Sequence, residues 1–195
     1  MRSMVEGAAT DSVFGAAPTT PPRFAGEDVD CQLREISMTS YLIAGPGEEP
    51  VSLAEAKAFA RVDGSDEDAL VSALIAAARL HVESITGRAL VTQTWRLVLK
   101  CVSGLVVPLP VVPAVALVDA PEGAALQGDA VLLASRIDDL TIDYTAGYGD
   151  AADVPQDLKQ AVLTLVAYWY EHRDSVTTAP VGFERLVASY RRVRL

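Results

Sequence analysis

From Ser65 to Gly87 the apolar residues leave a helix almost no polar side, and this constrains the fold more than any other feature of the chain. At about 100° per residue, Leu70, Leu74, Ala77, His81 and Ile85 fall on one stripe, with Val71, Ile75, Ala78 and Val82 on a second beside it. The polar face is narrow: Ser72, Arg79 and Glu83. A helix apolar over so much of its girth is covered on more than one side. Residues 155–173 make the same demand. Leu158, Val162, Leu165, Trp169 and His172 share one stripe, while Leu163, Ala167 and Tyr170 lie nearly opposite. Tyr168, Trp169 and Tyr170 are consecutive and cannot share a face, so they read as packing on two sides.

The ends of these helices carry the expected punctuation. Ser52 and Glu55 form a capping box that opens a short helix over about 52–61. Ser65 is placed to cap the next helix, over 65–86, whose first turn carries Asp66, Glu67 and Asp68 against the positive end of its dipole. Gly87 ends it in the left-handed position. Pro155 suits the first turn of the helix over 155–173. A last amphipathic helix, over 183–192, carries Arg185, Arg191 and Arg192.

Between the helices the period changes from 3.6 to two. VTQTWRLVLK alternates and is rich in β-branched and aromatic residues; Leu105–Val107, Val115–Val118, Val131–Leu133 and Leu140–Tyr144 are further strand candidates. Prolines between them favour short strands and turns. The expectation is an α+β fold: mainly a helical bundle with a small antiparallel β layer inserted over about 91–145. Residues 1–37, rich in Ala, Thr, Gly and Pro, hold no sustained period and read as an extended arm ahead of a domain over 38–195. Met38 opens a stretch that looks like a protein start, so the arm reads as an extension or a misassigned start.

Charge and composition exclude several function classes. A net charge of −10 rules out a nucleic-acid binder that works through a broad basic surface. Cys31 and Cys101 form no CxxC pair and read as free thiols. The N-terminus lacks the apolar run of an export signal, and the apolar stretch Leu105–Val118 is short and broken by Pro108, Pro110 and Pro113. Neither export nor a membrane partner is expected.

The motifs that suggest chemistry fail on context. His81-Val82-Glu83 spells the H-x-E of zinc deaminases without the Pro-Cys-x-x-Cys half. Gly147-Tyr148-Gly149-Asp150-Ala151-Ala152 fits G-x-G-x-x-A, yet Asp150 and Asp153 crowd the place of a pyrophosphate and no βαβ unit surrounds it. A turn explains these glycines better. Asp63 to Asp68 lacks the ligand spacing of a calcium loop. No metal, cofactor or catalytic group is expected. The enzyme alternative is a small soluble enzyme or ligand-binding domain with His81, His172 and Glu171 in one pocket; a monomeric regulatory protein is a third reading.

Three blocks together carry a resemblance. They are EEPVSLAEAKAFARVDGSDEDALVSALIAAARLHVESITGRALVTQTWRL, TIDYTAGYGDAADVPQDLKQAVLTLVAYWYEHRD and FERLVASYRRVRL. In these the chain resembles the head–tail connector, or adaptor, family of long-tailed bacteriophages and related gene transfer agents. The resemblance implies a non-enzymatic ring subunit, in twelve copies, seated in the neck beneath the portal protein and bridging it to a tail-side connector or stopper. DNA would pass through the ring without sequence-specific binding. By position, Gly87, Trp95, Gly147, Gly149, Pro155, Trp169 and Tyr170 are architectural. Leu163, Ala167 and Tyr170 are expected to form a second buried surface, against the β layer or a neighbouring subunit. Arg185, Tyr190, Arg191, Arg192, Val193, Arg194 and Leu195 form the expected portal interface. Because that end lies beyond the long helix, removing residues 189–195 is expected to leave the protein folded.

Overall fold

The computed structural model describes residues 37–100, 102, 104–173 and 179–192. It shows the expected α+β class, with four helices and two small antiparallel sheets among those residues. The order is β1 (Ser37–Ala44), α1 (Leu53–Ala60), α2 (Asp68–Thr86), β2 (Gln93–Lys100), β3 (Val106–Pro108), β4 (Ala114–Asp119), β5 (Ala125–Gln127), β6 (Ala130–Leu132), β7 (Asp139–Ala146), α3 (Gln156–Glu171) and α4 (Phe183–Val187).

The helices enclose one core. Val71, Ile75, Ala78 and Val82 of α2 meet Leu158, Ala161, Val162, Leu165, Val166 and Trp169 of α3, with Val51, Ala56, Phe183 and Val187 closing the cluster. The capping box on α1 forms as expected: the Glu55 N–H donates to Ser52 Oγ, and the Glu55 carboxylate accepts from the Ser52 N–H. Ser65 does not cap α2. Its N-cap is Glu67, without a side-chain cap bond, and the Asp68 carboxylate is drawn to Lys57 at the end of α1. The ion pair links the two helices, and α2 starts three residues later than expected.

The single β layer expected from sequence is instead a sandwich. One sheet runs β1-β2-β7-β4 and the other β3-β6-β5, all pairs antiparallel. Trp95, Leu97 and Leu99 of β2 pair with Tyr144, Ile142 and Leu140 of β7, and this row packs with Val107, Leu109, Val131 and Leu133. Two sheets arise because alternation on β2 and β7 makes only one face apolar, and that face needs a cover. The short strands supply it.

β1 was not expected at all, and it begins one residue inside the assigned arm. Its pattern explains the omission. It is an edge strand, exposed along nearly its whole length, so Ser37–Ala44 shows no alternation.

α2 is also turned relative to its expected orientation. Arg79 and Thr86 are buried, and Glu83 is largely enclosed, while Ala73, Ala77 and Leu80 face solvent. Small alanines constrain a helix's rotation weakly, and a buried ion network constrains it strongly. By length and composition alone α2 could cross a membrane. Here it packs in the helical core with Arg79 and Glu83 turned inward.

Candidate functional site

The glycine turns place the C-terminal segment. Gly87, with φ of 67°, ends α2 and leads into Arg88. Gly147 has φ of 140°, and a Cβ there would lie 2.6 Å from the Val91 carbonyl oxygen. Only glycine lets the end of β7 pass so close to the chain entering β2. This close crossing brings Arg88 and Tyr148 together at the boundary between the helical core and the sandwich. The Arg88 guanidinium donates to the Tyr148 hydroxyl at 3.3 Å, and burial pushes that phenol above its ordinary pKa.

The C-terminal segment lies over this boundary. Phe183 and Val187 are fully buried in the helical core, so α4 is part of the domain and not an appendage. The helix is shorter than expected. It ends at Val187, a 3-10 turn follows over Ala188–Tyr190, and Arg191 is extended. The Tyr190 carbonyl, which a longer helix would use internally, accepts from Arg88 Nε at 3.1 Å, with the guanidinium 5.9 Å from the Tyr190 ring centroid. Removing residues 189–195, which is expected to leave the protein folded, would break these contacts.

The expected portal-interface residues therefore divide. Arg185 is exposed and makes no ion pair among the described residues. Arg191 pairs with Glu184. Arg192 donates to the Leu109 carbonyl at 2.7 Å. Tyr190 is half-buried against the helical core. Val193, Arg194 and Leu195 lie outside the described residues. Arg88 was missed as a site residue. Its only signal was its place in TGRAL, directly after the glycine that turns the chain.

Leu163, Ala167 and Tyr170 are half-buried. Leu163 and Tyr170 pack on the helical core. The Tyr170 hydroxyl donates to Glu67 at the start of α2, and Arg173 pairs with the same carboxylate at 2.6 Å. Those two partners hold the Glu67 carboxyl below its ordinary value. The far side of α3 is thus partly covered by its own chain.

The groups of the enzyme alternative have different surroundings. His81 lies edge-on to Trp169 at 5.6 Å and beside Phe183 at 5.9 Å, while His172 stacks on Tyr168 at 4.4 Å. Glu171 is exposed at the end of α3. Among the described residues no three His, Cys, Asp or Glu side chains are grouped to hold a metal. An open groove of 580 Å³ is lined by Val51, Leu53, Ile75, Glu48, Glu55 and Lys159 among others, and contains none of these three residues. Its carboxylates are already engaged: Glu48 accepts from the Ala151 N–H at 2.7 Å, and Glu55 caps α1.

Known proteins place this architecture. Residues 50–119 match the model of the phage gp6-like head-tail connector protein family, and residues 118–184 match that of the head completion protein family. No curated protein sequence matches the chain. Among solved structures, a chain from the neck of an empty gene transfer agent particle, computed with C6 symmetry, aligns with a TM-score of 0.70 and 25% identity, over 80% of this chain and 97% of that one. A chain of the virion of a native gene transfer agent particle gives 0.69 and 24%, over 80% and 97%. One from the neck of a native particle, computed with C12 symmetry, gives 0.60 and 26%, over 79% and 97%. Adjoining family matches thus run across both the helices and the sandwich, and the chain is similar to phage head–tail connector proteins in its first part, to head completion proteins in its second, and to a gene transfer agent neck chain along most of its length.

Proposed function

We propose that the protein is the neck adaptor of a gene-transfer-agent-like particle: twelve copies form a ring beneath the portal protein and bridge it to a tail-side connector or stopper. The observation that carries this is the alignment with nearly the whole of a neck chain, at 97% coverage and a TM-score of 0.70. The surface supports self-assembly. Met38, Tyr41, Leu42 and Ile43 of β1, Phe59 of α1 and Leu80 of α2 are large apolar side chains left exposed by the single chain, which a ring neighbour would cover. Half-buried Leu163, Ala167 and Tyr170 add to that contact. A net charge of −10 disfavours a broad grip on a phosphate backbone, which suits a ring that DNA traverses without being gripped.

At the portal face, exposed Arg185, which makes no ion pair among the described residues, supplies a cation beside the segment Ala188–Arg192. Cells that lack the protein should release DNA-filled or emptied heads without tails, and the wild-type gene should restore tailed particles. Arg185→Glu should restore few. Tailed particles formed in the protein's absence would overturn the reading.

A further inference from the structure

Arg192 was expected to face a partner, yet its guanidinium is turned into its own chain. It donates to the Leu109 carbonyl at 2.7 Å, in the segment that links β3 to β4, and lies within 3.5 Å of the Pro110 carbonyl. The side chain crosses Gly87, where a Cβ would sit 3.6 Å from Arg192 Cδ. In the same β3–β4 segment the Val111 N–H donates to the buried Tyr144 hydroxyl at 3.3 Å. Two residues earlier, the Tyr190 carbonyl is held by Arg88, which also reaches Tyr148. One short strap is thus fixed to three places: the helical core through Phe183 and Val187, the boundary through Arg88, and the sandwich through Leu109.

We infer that Arg192 and Arg88 are positioning residues for the portal contact: they clamp the strap across the boundary between helical core and sandwich, so that the contact-making groups are presented in one orientation to the partner. This rests on the portal reading above. The physical basis is preorganisation, since a segment ordered before docking loses less conformational freedom when it docks. A guanidinium suits the task because its planar fork can serve backbone carbonyls while its stem packs over a glycine.

The test compares Arg192→Ala, Arg192→Lys and Arg185→Ala by hydrogen exchange of the full chain and by attachment to purified portal-bearing heads. Arg192→Ala should speed exchange in peptides covering 105–113 and 183–192 by roughly tenfold, the equivalent of one lost charge-assisted hydrogen bond. It should also lower attachment by roughly fivefold or more. Arg192→Lys, which keeps a donor for the Leu109 carbonyl, should recover much of both. Arg185→Ala should lower attachment while leaving exchange at the wild-type rate. Wild-type exchange in Arg192→Ala would remove the clamp, and if attachment were nonetheless lost, Arg192 would be a direct contact. Faster exchange with full attachment would show that the clamp positions nothing. If the wild-type protein does not join portal-bearing heads, the portal reading fails and the positioning role falls with it, while exchange still decides whether the clamp exists.

Discussion

Arg79 and Glu83 face each other one turn apart on α2, with guanidinium and carboxylate 2.9 Å apart and both side chains nearly shut off from solvent. The second oxygen of Glu83 accepts from the Leu90 N–H at 2.9 Å and from Gln93 Nε2 at 2.6 Å, and Arg79 also reaches Glu49 at 2.8 Å. This network holds α2, the chain entering β2 and the loop before α1 in one relationship. Glu83→Ala would leave Arg79 buried with one partner instead of two and free the Leu90 N–H, at a cost of about 3 kcal/mol. Glu83→Gln should cost less, because its amide oxygen can still accept from Leu90. Urea unfolding of both variants gives the comparison.

Acid stability should follow Asp143 more than Glu83. Arg96 bonds both oxygens of Asp143 at 2.6 Å across β2 and β7, and this holds the carboxyl below 3.8. A lowered carboxyl contributes stability above its ordinary value and loses it as pH falls through the lowered one. Asp143→Asn should therefore reduce stability at neutral pH and flatten the decline below pH 3.8. Burial raises the Glu83 carboxyl above 4.5, so its contribution has the opposite sign and fades as pH rises through the raised value. Unfolding midpoints of Asp143→Asn and wild type across the acid range should converge at low pH; parallel curves would contradict the assignment.

Gly147→Ala should be among the most damaging single changes in the chain. The added methyl would meet the Val91 oxygen at 2.6 Å and the Thr92 backbone at 2.7 Å, at a φ of 140° that other residues rarely adopt. Backbone strain and the clash together should cost roughly 3 kcal/mol or more. Circular dichroism melting of the purified variant, or its recovery only as aggregate, would register the loss.

The histidines should be replaceable. His81 is a half-buried ring among Trp169 and Phe183, and His172 a stacked ring on Tyr168. His81→Leu and His172→Phe keep apolar volume and should change stability by about 1 kcal/mol or less. Particle assembly should persist in both. A stoichiometric metal in the wild-type protein that both substitutions abolish would contradict the packing role.

Local signals by themselves determined the helical elements, the capping box at Ser52 and the glycine stop at Gly87, because each depends on spacing within a few residues. The resemblance carried by TGRAL, QTW and AGYG was legible for the same reason. Tertiary structure alone decided the rest. The inward rotation of α2 was invisible because Ala73 and Ala77 look as apolar as core residues, while Arg79 and Glu83 look like a solvent face until Glu49, Leu90 and Gln93 are brought to them. β1 escaped notice because an edge strand exposed on both faces has no reason to alternate. The division of the C-terminal arginines depended on distance in space. Arg192 and Leu109 stand 83 residues apart, and only the fold that crosses Gly147 against Val91 brings that carbonyl within reach of the guanidinium.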